Sequence, residues 1–183
     1  RLKEPRRFIQ VVAGPRQVGK STMVKQLIHD IPMQSLMVSA DLIPPNDSGW
    51  IRQVWEQARQ QMRLFSYDSF LLVIDEIHKL NNWSEAVKAE WDNDTFHDLN
   101  IKVVILGSSR LLLKDGLTES LTGRFELIEM PHWSYVEMHK AFGFSLPQYV
   151  YYGGYPGCAS LIHDNQRWLS YMMDSIIEPA ITK

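Results

Sequence analysis

Hydrophobic and polar positions follow two different periods along this chain. Phe8 to Ala13 is a short, mostly apolar run that predicts a buried strand, and a Gly-containing loop follows it. From Ser21 to His29, Val24, Leu27 and Ile28 fall on one face of a helix. Leu36-Met37-Val38 predicts a second strand, and 43–49 (IPPNDSG) is a loop by composition. Ile51, Val54, Trp55, Ala58, Met62 and Phe65 recur at helical spacing and predict an amphipathic helix. Phe70 to Ile74 is a third strand, Trp83, Ala86, Val87 and Trp91 mark a helix, Ile101 to Leu106 is a fourth strand, and Phe125 to Met130 is a weaker fifth.

Strands separated by helices predict an α/β fold with a parallel sheet covered on both faces. Pro131 marks a boundary. Beyond it, Ser134-Tyr135-Val136-Glu137 has the spacing of a capping box that opens a helix. Residues 151–157 (YYGGYPG) form a turn-rich aromatic segment, and Gln166 to Ile177 predicts a last helix. Residues 1–130 are therefore expected to form one α/β domain, and 131–183 a small helical region that opens a C-terminal domain.

The 183 residues suffice for one domain, or one plus part of the next. With 45% hydrophobic and 22% charged residues the chain has an ordinary globular composition, which excludes disorder, collagen and coiled coil. A net charge of -2 gives no general drive toward nucleic acid or anionic membrane. The single cysteine, Cys158, cannot form an internal disulfide, which places the expected home of the protein in the cytoplasm. No apolar run is longer than a strand, so no membrane span is expected. The start without Met and the end inside an apolar pattern suggest a segment of a longer protein. The methionines Met23, Met37 and Met62 read as gap-filling core, as do most tryptophans and tyrosines.

The chemistry begins at Gly14-Pro15-Arg16-Gln17-Val18-Gly19-Lys20-Ser21, which fits G-x4-G-K-[ST], the Walker A phosphate loop. A predicted strand precedes it and a predicted helix follows it, as the mechanism needs. A triphosphate requires many donors converging on one point. Gly14 and Gly19 let the backbone wrap tightly, and the N–H groups of Val18, Gly19, Lys20 and Ser21 point inward at a helix N-terminus. Pro15 lacks an N–H but lies in the half of the loop that contributes least. Lys20 can reach the β- and γ-phosphates, and the Ser21 hydroxyl can ligate Mg²⁺. The expected nucleotide-binding set is Gly14, Pro15, Arg16, Gln17, Val18, Gly19, Lys20, Ser21 and Thr22.

Leu71-Leu72-Val73-Ile74-Asp75-Glu76 places two carboxylates at the end of an apolar strand, where a cation or polar partner is needed. Asp75 is the expected Mg²⁺ ligand with Ser21, and Glu76 the expected base or orienter for an attacking water. A kinase of small molecules would not need this second acid, so Glu76 favours hydrolysis. The fourth strand ends in Gly107-Ser108-Ser109-Arg110. If it lies between the first and third strands, Ser108 or Ser109 can orient the water, Ser108 being favoured; the alternative is a helix cap before Leu111 to Leu113. Arg124, ahead of the fifth strand, can serve as an arginine finger to a neighbouring subunit, or pair with Glu126 or Glu129. His78 follows the acidic pair and can sit near the site, but a place on the surface or capping a helix is the favoured expectation, and the histidines show no metal-ligand spacing.

GPRQVGKST, LLVIDEIHKLNNW, VILGSSR, SLTGRFELIEM and YYGGYP together resemble the prokaryotic and archaeal-type AAA-like P-loop ATPases with a helical, winged-helix-like C-terminal domain. The resemblance spans about residues 8 to 157. It implies a three-layer P-loop NTPase sandwich with strand order 5-1-4-3-2. It implies that Lys20, Ser21, Asp75 and Glu76 bind and cleave ATP with Mg²⁺, that Ser108 is a sensor, and that Arg124 fills the family's arginine position. The expected function is Mg²⁺-dependent ATP hydrolysis coupled to conformational change on a partner. A protein or DNA partner for the C-terminal region and a homo-oligomer both fit. Two alternatives stay open: a DExH-type helicase core, since Asp75-Glu76-Ile77-His78 fits that box, and a nucleotide-gated binding module that does not hydrolyse.

Overall fold

A computed structural model describes residues 1–47, 49–108 and 120–177. Ser109, Arg110 and the helix start considered at Leu111 to Leu113 lie outside the described residues. Five strands form one sheet: β1 (Ile9–Ala13), β2 (Gln34–Ser39), β3 (Phe70–Asp75), β4 (Ile101–Gly107) and β5 (Phe125–Glu129). Their order is β2-β3-β4-β1-β5, with every neighbouring pair parallel. This is the expected 5-1-4-3-2 order read from the other edge, and the fold is a P-loop NTPase sandwich.

Burial explains why these strands were legible. β1 is buried along its whole length, and β3 is buried up to Asp75, because helices cover parallel sheets on both faces. The edge strands β2 and β5 are only half-buried. The polar exception in β1 is Gln10, whose amide donates to Glu126 Oε2 on β5 at 3.0 Å. On one sheet face, Ile9, Val11, Leu72, Ile74, Val103 and Ile105 pack against Trp55 of α2 (Trp50–Leu64) and Trp83, Val87 and Trp91 of α3 (Trp83–Phe96). α1 (Lys20–Asp30) buries Val24, whereas Leu27 on the same predicted face is 36% exposed. The predicted α2 face holds through Met62. Phe65 falls outside it, because the helix ends at Leu64; its exposed ring stacks on Tyr67 instead.

A buried polar cluster joins α2 to α3. Asp94 Oδ2 accepts from Trp55 Nε1 at 2.7 Å, and Asp94 Oδ1 from Arg59 Nε at 2.7 Å. Arg59 also donates to Glu90 Oε2 at 2.6 Å and to the Glu90 carbonyl at 3.2 Å. Arg6 caps the cluster: it donates to the Ile101 and Trp91 carbonyls and lies 3.5 Å above the Trp91 ring. Burial disfavours the Arg59 charge, but the Asp94 and Glu90 carboxylates outweigh it and hold its pKa above the ordinary arginine value.

Internal contacts divide the chain into two compact units, one of residues 1–13 and 21–129, the other of residues 14–20 with 130–183. The second unit contains α4 (Tyr135–Phe142), α5 (Leu146–Tyr152), a 3-10 segment (Pro156–Leu161) and α6 (Asn165–Met172), which runs into a π turn (Met173–Ile177). Met138, Phe144 and Ala159 form its small core, with Trp133, Tyr149, Tyr152 and Ile162 packed around them. The predicted capping box at Ser134 and Glu137 is complete in both directions. A second box, Ser145 with Gln148 and a Pro in the first turn, starts α5. Tyr151 and Tyr152 therefore end a helix, and the expected turn begins only at Gly153.

The α4 cap gives a pH prediction. The Ser134 hydroxyl and backbone N–H hold the Glu137 carboxyl below the ordinary glutamate pKa of 4.5. A lowered folded pKa stabilises the fold above 4.5, and that increment is lost as pH falls through the lower folded value. In acid unfolding, the parent should lose stability over this window relative to Glu137→Gln, whose amide does not titrate. Identical acid profiles would show that the cap carboxylate contributes nothing.

Candidate functional site

Strand register assembles the first part of the site. Ala13 lies opposite Gly107, Ile74 opposite Ile105 and Ser39 opposite Asp75, so β1, β3 and β4 finish at one edge of the sheet. In open α/β sheets, ligands bind beyond that carboxyl edge. β4 does lie between β1 and β3, and Ser108 is the half-buried residue that follows it.

Asp75 ends β3, and its side chain meets α1. The Ser21 hydroxyl donates to Asp75 Oδ2 at 2.6 Å, and the Glu76 backbone N–H donates to Asp75 Oδ1 at 2.9 Å. The two residues expected to hold Mg²⁺, 54 positions apart in sequence, are thus in direct contact. A hydroxyl and a carboxylate are hard oxygen donors, the kind Mg²⁺ takes alongside substrate phosphates and water. Among the described residues there is no group of three or more His, Cys, Asp or Glu that could hold a metal by itself.

Glu76 adopts a left-handed backbone, φ 55°, which ends the strand and turns the chain into a 3-10 segment (Ile77–Lys79). Such a conformation is uncommon for a residue with a side chain and clusters at functional sites. The Glu76 carboxylate is about one-third exposed, and His78 Nε2 lies 3.5 Å from its Oε2. His78 departs from expectation: its side chain is only 3% exposed and is neither on the surface nor a cap. The short 3-10 turn folds it inward beside the acid, a consequence of the turn that no sequence period signals. Lys79, in the same turn, pairs with Asp41.

The phosphate loop is shaped by its own unit. Gly19 has φ 93°, and Gln17 also takes a left-handed backbone, φ 61°. At Gly14 a Cβ would overlap the carbonyl oxygen of Met130, a residue outside the turn. Lys20 is buried, and its ammonium donates to the carbonyls of Gly14 at 3.0 Å and Pro15 at 2.6 Å. Pro15 therefore contributes an acceptor although it has no donor. Val18 is fully buried, Pro15, Arg16 and Gln17 are half-buried, and Thr22 is exposed on α1.

Arg124 makes two bonds to Asp92 of α3, from Nε at 2.7 Å and from Nη2 at 2.9 Å. Its partner is thus neither Glu126 nor Glu129. This bidentate pair raises the Arg124 pKa further, through the Asp92 hydrogen bonds. Sequence reasoning also missed Trp133 and Tyr171, which touch the loop at Val18 and Gln17. Only their distance in sequence, 115 and 154 positions, separated them from the motif.

Residues 6–139 match the profile of a family described as AAA domain. Two point variants of RuvB from Thermotoga maritima have similar folds, one at 20% identity and TM-score 0.50, the other at 19% and 0.51. Each match covers 73% of this chain but 41% of the other, so the chain spans less than half the length of those structures. Among curated proteins none matches. No described helix is long and apolar enough to cross a membrane.

Proposed function

Because the chain belongs to the AAA domain family, with residues 6–139 inside the family profile, we propose that it binds ATP with Mg²⁺ and hydrolyses it, driving a conformational change on a partner. The observation that carries this reading is the 2.6 Å bond between Ser21 and Asp75, the last residue of the phosphate-loop motif and the acid at the end of β3. In this reading, the N–H groups of Val18, Gly19, Lys20 and Ser21 cradle the phosphates, and the Lys20 ammonium exchanges the Gly14 and Pro15 carbonyls for phosphate oxygens. Ser21 and Asp75 hold Mg²⁺. An ion held there would supply neutralisation of charge on the transferring phosphoryl group. Glu76 takes the proton of the attacking water, and Ser108 orients that water from the end of β4.

Arg124 acts in this scheme only after it leaves Asp92, which ties its use as a finger to an encounter with a neighbouring subunit. The C-terminal region is where a protein or DNA partner would couple to turnover.

The test is Lys20→Ala. Charge-assisted bonds contribute about 1.5–3 kcal/mol, so the dissociation constant for Mg·ATP, measured by calorimetry, should rise roughly 10- to 100-fold. Equal affinity in parent and variant would overturn the site. A parent that binds Mg·ATP tightly but releases no phosphate at any protein concentration would instead favour the nucleotide-gated binding module.

A further inference from the structure

The phosphate loop packs within the unit formed by residues 130–183, and one contact there controls a peptide that the nucleotide reading needs. Trp133 Nε1 donates to the Val18 carbonyl at 2.9 Å. A trans peptide is planar, with its C=O and N–H pointing in opposite directions. Holding the Val18 carbonyl toward the indole therefore turns the Gly19 N–H away from it. We propose that Trp133 is a positioning residue for the phosphate loop, fixing the Val18–Gly19 peptide so that the Gly19 N–H is presented to phosphate. This inference rests on the reading of residues 14–21 as a polyphosphate cradle.

The indole is held on a rigid mount. The Trp133 N–H donates to the Gly154 carbonyl at 3.1 Å, and the Trp133 carbonyl accepts from the Tyr149 hydroxyl at 3.0 Å. A Cβ at Gly154 would overlap the Trp133 carbonyl oxygen, so the two backbones meet without space between them. This gives a physical reason for Gly154 in the aromatic turn. The ring itself lies 5.8 Å from that of Phe142. The backbone of Trp133 is thus anchored before its N–H reaches the loop.

The peptide it holds is one that needs holding. Gly19 sits at φ 93°, and Gln17 at φ 61° is a non-glycine in the left-handed region. Such conformations persist where the surroundings over-determine them. Gln17 is tied independently: its Oε1 accepts from the Tyr171 hydroxyl, and its amide donates to the Ser175 carbonyl at 3.5 Å. Trp133 supplies the corresponding restraint on the next residue, Val18.

The experiment compares the parent with Trp133→Phe, which keeps an aromatic ring but lacks the donor, and Phe142→Leu, which disturbs the ring packing but keeps the donor. One neutral hydrogen bond is worth about 0.5–1.5 kcal/mol, so Mg·ADP affinity should fall roughly two- to tenfold in Trp133→Phe and stay at the parent value in Phe142→Leu. Without nucleotide, amide hydrogen exchange of residues 17–20 should be faster in Trp133→Phe alone. In the parent, the indole N–H resonance of Trp133 should shift when Mg·ADP binds, a readout that needs no variant. Parent affinity and parent exchange in Trp133→Phe would overturn the proposal, as would equal weakening by Phe142→Leu or an unmoved indole resonance on binding. Should the parent bind no nucleotide, the cradle reading fails by itself, and the exchange rates still decide whether Trp133 holds the loop.

Discussion

Glu76→Gln should bind Mg·ATP as tightly as the parent and release phosphate roughly 10²- to 10⁴-fold more slowly, the range expected when a positioned base is removed. The substitution preserves shape and removes the ability to accept a proton. Binding should be spared, because the contact of Glu76 with Asp75 runs through its backbone N–H, which the amide variant keeps. The Ser21–Asp75 bond does not involve the Glu76 side chain at all. The Gln side chain also remains a polar neighbour for the buried His78. Steady-state phosphate release beside calorimetric binding separates the two effects. Turnover at the parent rate would mean that another group activates the water, and loss of binding would mean that Glu76 belongs to the cradle or the ion site instead.

Asp94→Ala should cost about 3–5 kcal/mol of folding stability, the usual consequence of removing one partner from a buried ion pair. The Asp94 side chain is fully inaccessible, and it accepts from both Trp55 Nε1 and Arg59. Alanine would leave a buried guanidinium with only Glu90 and, at 3.7 Å, the more exposed Glu56 as close carboxylates, and a buried indole N–H without its acceptor. At about 2–4 °C per kcal/mol for a chain of this size, the melting temperature should drop by roughly 10 °C. Arg63→Ala, which removes the exposed pair of Arg63 with Glu56, offers the contrast and should cost less than about 1 kcal/mol. Chemical denaturation of both variants measures the difference. A loss below about 1 kcal/mol for Asp94→Ala would show that apolar packing, and not the Asp94 cluster, holds α2 to α3.

These two sites differ in how far sequence reasoning reaches them. Glu76 was visible because it follows four apolar residues and an Asp, a local pattern tied to chemistry. Asp94 and Arg59 were not, because each looks like the polar face of its own helix. Only the packing of α2 on α3 turns those faces inward and makes them partners 35 positions apart. The same reason hid His78, which a three-residue turn carries into the interior. It also hid the partner of Arg124, which comes from α3 and not from its own strand. The missed α5 is a different case. Its Ser145–Gln148 capping signal is local, but the glycines after Tyr152 drew the reading toward a turn.

What the chain determined by itself is what short-range chemistry dictates: strands from apolar runs, helices from their period and caps, and a G-x4-G-K-S loop set between β1 and α1. These follow from neighbours within a few residues, so the residue string contains them. Tertiary structure decided which distant groups meet. It brought Ser21 against Asp75, buried Arg59 between Asp94 and Glu90, and set the indole of Trp133 on the Val18 carbonyl. Those contacts arise only when sheet register and helix packing bring separate segments within hydrogen-bond distance, a geometry that no local pattern encodes.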